Sequence, residues 1–504
     1  MAIESGKLSP PLTERASAGF LWLLIQAISS KAAGFIGQLI LARLLVPRDF
    51  GMVALAYSVA TVPKLLRDNG LLQILIGKQS HLEKWVSSVF WFDLALGFAG
   101  TVALAAAAPF CADFFHQPEL RGLIWLVASG MLVNAMTSVP MAKLYTRLDF
   151  KRIAIVGSVY NLGVLATTVA LAWLGFGAYS LLIPLPIFSA VRLGVFWAWA
   201  PSRIHRTLGI LRWCLIAKDA FPLAASSLVY ALQTALPSVA LSRIRTVAAA
   251  GVFYFGWNLS TQALQLLSFN LGQVLLPVLA GLRGDPPRQA AAFLRVLRLT
   301  VFVSAPACAV VAVLAKPAVV VIFGPRWAQS AQVLAVLSVG TPFAVTYGPL
   351  SGFLQARQRY NFSMLLWVGM LIVAIPAVFL GAWWQGPLLV AVAVAGENAL
   401  ASPVSIYLSV RDCGMGWREV MSVFVPGLPL AALAVLPIYL LDWLWPALGR
   451  NGVANVLVGT ALAGVIFFGL GAWVCRAESA EFWTRVRAIV LRVPVVRKFF
   501  GGAS

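Results

Sequence analysis

Fourteen apolar stretches, each long enough to cross a bilayer, follow one another along this 504-residue chain with clustered charges between them. A helix in hydrocarbon satisfies all its own backbone groups and needs about 20 mostly apolar residues to cross. The spans read as 17–42, 50–76, 86–109, 120–142, 153–174, 178–200, 216–242, 248–280, 293–315, 328–354, 361–381, 386–410, 422–441 and 450–474. With 61% hydrophobic and 11% charged residues, such a surface would not dissolve in water. The fold class that follows is an all-α integral membrane protein of about 14 transmembrane helices.

An even number of spans puts both ends on one side, and the distribution of Lys and Arg says which. Alternate segments, counted from the N-terminus, carry 28 basic residues, among them Lys64, Arg67, Arg147, Arg152, Arg206 and Arg288. The opposite loops carry 8, from Arg43 and Arg48 to Arg450. Both termini are therefore expected to be cytoplasmic, with the chain multi-pass in the cell's inner membrane. The net charge of +21 follows this topology and faces anionic membrane lipids, so nucleic acid is not an expected partner. In the tail, 476–504, Trp483, Val486, Val490 and Val493 recur at helical spacing with Arg485, Arg487 and Arg492 around the turn. That pattern reads either as a basic amphipathic helix on the inner leaflet or as a frayed end.

Covalent chemistry finds no footing in the sequence. His81, His116 and His205 stand apart, and no HExxH, Walker or GxSxG motif is present. Cys111, Cys214, Cys308, Cys413 and Cys475 form no CxxC, so neither metal nor cofactor is expected. The longest loop, about 200 to 217, is too short to hold a catalytic domain. The first apolar run lacks a small-residue cleavage site after it and reads as a retained span. A transporter remains.

Polar residues inside the spans are the candidates for its path, because a charge at the bilayer centre costs at least about 2.5 kcal/mol. Lys31, Gly34 and Gln38 share one face of the first span. Arg192 lies in the sixth span, Asp93 in the third and Glu397 in the twelfth; the two carboxylates are candidates for ion coupling. Ser226, Tyr230, Gln233 and Ser238 punctuate the seventh span, and Asn258, Gln262, Gln265 and Gln273 the eighth. Each has a structural alternative. Amides often join helices by hydrogen bonds, while Asp93 and Arg192 lie near enough to a span end to pair there.

An internal repeat organises these spans. LARLLVPRDFG (Leu41–Gly51) and LSRIRTVAAAG (Leu241–Gly251) share Leu41/Leu241, Arg43/Arg243 and Gly51/Gly251 at an offset of 200 residues. Both segments cross the turn after an odd span, as expected of a duplicated six-helix unit of the kind that supports alternating access. The expected lobes are 1–200 and 201–412, followed by two added helices within 413–475 and the tail.

Ala18-Gly19 and Trp22, then ILARLLVPRDFG (Ile40–Gly51), LLRDNGLLQILIGK (Leu65–Lys78) and FGPRW (Phe323–Trp327), resemble the polysaccharide transporter family of O-antigen and exopolysaccharide flippases. Its superfamily also holds the multidrug and toxin extrusion antiporters and the lipid II flippase. The resemblance implies a flippase for a polyprenyl-diphosphate-linked oligosaccharide, moved from the inner to the outer leaflet. Lys31 and Arg192 would then neutralise the diphosphate, and Gln38, Gln233, Asn258, Gln262 and Gln265 would stand in for water around the sugars. Coupling to H+ or Na+, and partnership with a polysaccharide polymerase and export machinery, are compatible with that reading.

Three other readings stay open at this point, one of them a scaffold within an export complex. An ion-coupled multidrug antiporter would favour acidic and aromatic lumen residues for cationic drugs, whereas the mid-span charge here is mainly basic. An integral-membrane polymerase or glycosyltransferase would need clustered carboxylates or a large loop.

Overall fold

The structure, a computed structural model, describes residues 12–67, 82–262 and 279–444, apart from turn positions 148, 203, 206–209, 280, 281 and 283, together with residue 458. Every described element is an α- or 3-10 helix. Seven helical stretches among the described residues are long and apolar enough to cross a membrane, and a bent pair makes an eighth. The chain is a multi-pass membrane protein. The contacts divide it into two units, Met1–Gly251 and Val252–Ser504.

The first unit runs α1 (Leu12–Leu44), α2 (Pro47–Arg67), α3 (Leu82–Phe114), α4 (Glu119–Ala135), α5 (Ser138–Thr146), α6 (Phe150–Trp173), α7 (Pro184–Trp199) and α8 (Ile210–Ile244). Helix α9 (247–262) begins in it and ends in the second unit. Small and aliphatic residues of α2, α3 and α4 interlock in the first unit's core, with Met52, Leu55, Leu104, Leu123 and Ile124 almost fully buried. Between helices that lie in lipid, such close packing stabilises through van der Waals contact, because the surrounding tails are as apolar as the side chains.

The second unit continues with α10 (Pro286–Phe323), α11 (Ala328–Ala344), α12 (Tyr347–Ala356), α13 (Tyr360–Trp384), α14 (Pro387–Val410), α15 (Trp417–Met421) and α16 (Gly427–Leu444). Phe293 and Phe353 stack at 4.4 Å in its core, beside Leu297, Ile406 and Val423. The FGPRW segment has a local cause. Gly324, at φ +99°, ends α10 in a conformation that a side chain resists, and three residues later Trp327 is fully buried against Phe255 at 3.9 Å.

Helix lengths repeat along the chain. α1 and α8 have 33 and 35 residues, α3 and α10 have 33 and 38, α4 and α11 have 17 each, α5 and α12 have 9 and 10, and α6 and α13 have 24 and 25. The ends correspond chemically too. Trp173 closes α6 and Trp384 closes α13, and they are 78% and 79% exposed, the placement of interfacial aromatics at a membrane boundary.

The spans expected at 120–142 and 328–354 are each two helices. α4 and α5 meet at a bend of 44°. The reason is the proline at the third position of each second half, Pro140 and Pro349, which lacks the N–H that would continue the ladder and crowds the carbonyl four residues back.

Candidate functional site

Lys31 is exposed on α1, Gln38 is half-buried, and a Cβ added at Gly34 would meet no atom within 4 Å. Another face of the same helix is locked onto α6. A Cβ at Gly157 would fall 2.0 Å from Gln26 Nε2, one at Gly37 would fall 2.1 Å from Leu165 Cδ1, and Asn161 Nδ2 donates to Ser30 Oγ at 2.7 Å. Helix α1 is thus fixed by one side and presents a mid-span ammonium on another.

Arg192 has a different setting. It is half-buried on α7, donates to Asn134 Oδ1 at 2.5 Å, and lies 4.7 Å over the Tyr160 ring of α6. Asn134 sits in the last turn of α4, just before the bend. On the other side of the bend Ser138, the first residue of α5, donates from Oγ to Asp93, which is buried on α3. A carboxylate at a helix N-terminus is favoured by the helix dipole. The carbonyl of Met136, left without a partner by Pro140, accepts from Trp197 Nε1 at 3.0 Å, and Thr137 Oγ1 donates to Val133 O at 3.2 Å. In the second unit the corresponding Thr346 hydroxyl pairs with Ser402 Oγ at 2.8 Å. In the first broken span, side chains thus supply partners that the backbone lost.

Gln233 is half-buried on α8, one turn beyond the exposed Tyr230, and Ser238 on the same helix is buried. In the second unit Asn258 and Gln262 are half-buried on α9, and the Asn258 side chain pairs with Tyr254. Glu397 is buried on α14. The Ser226 side chain, Gln265, Gln273 and the basic tail lie outside the described residues. No group of three or more His, Cys, Asp or Glu placed to hold a metal occurs among the described residues.

Asn134, Tyr160, Ser138 and Trp197 escaped the sequence reading because none is unusual in a span by itself. Pro140 was the available signal. A proline inside an apolar run marks freed carbonyls, and polar side chains on neighbouring helices are then expected to answer them.

The family described as polysaccharide biosynthesis protein matches residues 40–332. The succinoglycan biosynthesis transport protein ExoT of Rhizobium meliloti (strain 1021) is 25% identical over 467 residues, covering 88% of this chain and 90% of that protein. The lipopolysaccharide biosynthesis protein WzxC of Escherichia coli (strain K12) is 22% identical over 422 residues, covering 82% and 85%. Among solved structures, the lipid II flippase MurJ in an inward closed conformation shares the fold with a TM-score of 0.71 at 15% identity, covering 90% of this chain and 99% of that one. An inward-facing multidrug resistance transporter of the MATE family gives a TM-score of 0.55 at 15% identity, covering 79% and 94%.

Proposed function

Because the chain belongs to the polysaccharide biosynthesis protein family, we propose that it carries a lipid-linked oligosaccharide across the cytoplasmic membrane for surface or secreted polysaccharide synthesis. Relatives named for succinoglycan transport and lipopolysaccharide biosynthesis support the substrate class. The observation that carries the reading is Lys31, an exposed ammonium at mid-span on the open side of α1. It suits an anionic diphosphate that hydrocarbon would exclude.

The inner-leaflet diphosphate enters beside Lys31 and Gln38. Gln233, Asn258, Gln262 and Gln265 replace water around the sugars, and the polyprenyl tail stays in the bilayer through a lateral opening. Arg192, engaged with Asn134 and Tyr160, holds the bend of the fourth span and acts on the path through it. Lobes 1–200 and 201–412 rock about the path, and the added helices and tail complete the chain. Both termini lie in the cytoplasm. Asp93 and Glu397 are the carboxylates through which H+ or Na+ would be coupled, and no covalent step is involved.

The test uses proteoliposomes holding the purified chain and a fluorescent polyprenyl-diphosphate oligosaccharide. Protein-dependent loss of protection from an impermeant quencher is expected. Unchanged protection, or formation of new glycosidic bonds, would remove the reading.

A further inference from the structure

Arginines gather on one edge of the second unit, where the α12–α13 turn, the end of α14 and the short α15 come together. Arg359 Nη1 reaches Asp412 Oδ2 at 2.7 Å, and Arg411 Nε reaches the same carboxylate at 3.6 Å. Arg357 donates to Cys413 Sγ at 2.6 Å, and Arg298 of α10 donates to Ser422 Oγ at 2.7 Å, next to the end of α15. Arg418 on α15 is exposed. Five guanidinium groups therefore meet two carboxylates here, Asp412 and Glu419, and Glu419 already accepts the Gly416 N–H at 2.9 Å. The Asp412 carboxyl is held below its ordinary range, first by the hydrogen bond from Arg359; burial opposes this, and the charges of Arg359, Arg411 and Arg357 add to the lowering.

Beside this positive edge lies an apolar one. Trp417 and Met421 are one turn apart on α15 and are 45% and 38% exposed, and Val425, four residues further on, is 57% exposed. Val420, Val423 and Phe424 from the same stretch are buried in the core. The segment thus has an inner face that packs and an outer face that pairs a large aromatic with arginines. A surface of that composition matches the boundary between phosphates and acyl chains.

We propose that α15 and the arginines around it form a specific site for the phosphate headgroup of an anionic phospholipid. Trp417, Met421 and Val425 enter the acyl boundary, while Arg411 and Arg418 engage the phosphate. The excess of guanidinium over carboxylate makes the occupant anionic, and the apolar outer face makes it a lipid of the surrounding bilayer. This site is separate from the Lys31 path and stands whether or not the chain moves an oligosaccharide.

The full-length protein in phosphatidylcholine nanodiscs, titrated with phosphatidylglycerol, is expected to gain thermal stability saturably. The variant R411Q/R418Q should need at least about tenfold more phosphatidylglycerol for half the gain, since each basic residue near an anionic surface contributes roughly fivefold in affinity. R418Q alone removes an exposed charge from the surface, so folding is retained, and should shift the midpoint roughly fivefold. Unshifted midpoints in both variants would overturn the site. Inorganic phosphate that reproduces the gain in pure phosphatidylcholine would overturn the lipid as its occupant. R485Q/R487Q removes the same charge from the tail and reads only the general attraction of basic residues to anionic lipid, so its shift should be smaller than that of R411Q/R418Q; an equal shift would overturn the assignment.

Discussion

Gly51 and Gly251 are 200 residues apart in the chain and pack reciprocally: a Cβ on Gly51 would lie 1.9 Å from Val247 O, and one on Gly251 1.7 Å from Pro47 O. Residues 47 and 247 are themselves 200 apart, so the two close approaches match at the same offset. No side chain fits at either position. The repeated glycine read from the sequence is where α2 and α9 touch through their backbones.

Substituting alanine at Gly51 or Gly251 forces these helices apart and is expected to destabilise the protein by about 1–3 kcal/mol, the usual range for overpacking. Gly34→Ala, which meets open space, should be neutral or gain up to about 1 kcal/mol from helix propensity. Thermal unfolding of the three variants checks the order. Equal losses at Gly34 and Gly51 would mean the backbone contact carries no weight.

Lys31→Ala should abolish most polymer export while the amount of protein in the membrane stays unchanged, and Lys31→Arg should restore part of it, because guanidinium keeps the charge with altered geometry. Export and membrane abundance are measured on the same cells. Full export by the alanine variant would end the proposed role.

Arg192 is expected to behave differently. If it holds the bend through Asn134, Arg192→Leu and Asn134→Leu should be coupled by about 0.5–3 kcal/mol in a double-mutant cycle of unfolding, as residues in direct contact are. Trp197→Phe, which removes the bond to Met136 O, should cost about 1 kcal/mol. Strict additivity at Arg192 and Asn134 would instead leave the arginine free to serve the substrate directly.

Asp412 makes part of the stability pH-dependent. Its folded carboxyl titrates below the ordinary value of about 3.9, so its contribution is complete above that value and is lost as the pH falls through the lower folded one. As the pH falls below about 3.9, the melting temperature of the unaltered protein should therefore fall more steeply than that of Asp412→Asn. Parallel curves would show that the ion pair with Arg359 contributes nothing measurable.

Orientation is tested by single cysteines in an otherwise cysteine-free chain. Positions near Arg206 and Arg288 should resist an impermeant thiol reagent in intact cells, and one near Gly177 should react, as the asymmetry of 28 to 8 basic residues requires. The reverse pattern would invert the topology.

Much of the architecture was legible because hydropathy acts locally. A run such as Phe150–Trp173 is a spanning helix whatever surrounds it, and its borders were read to within a few residues. Lys31 was equally legible, since a mid-span cation stands out in any apolar run. The bend at Met136 was not, although Pro140 marked it. A proline states that a carbonyl is released, and only the arrangement of neighbouring helices states which side chain answers it.

The sequence alone determined the all-α membrane class, the three identities at an offset of 200 residues and the residues too polar for their spans. These follow from the cost of leaving a backbone group or a charge in hydrocarbon, which each segment bears by itself. The tertiary structure decided which partners the polar residues meet. It gave Arg192 to Asn134 and Tyr160, Asp93 to Ser138 and the Met136 carbonyl to Trp197. Those assignments join residues up to about 60 positions apart, and the geometry of packed helices, which no single segment encodes, is what brings them within hydrogen-bonding distance.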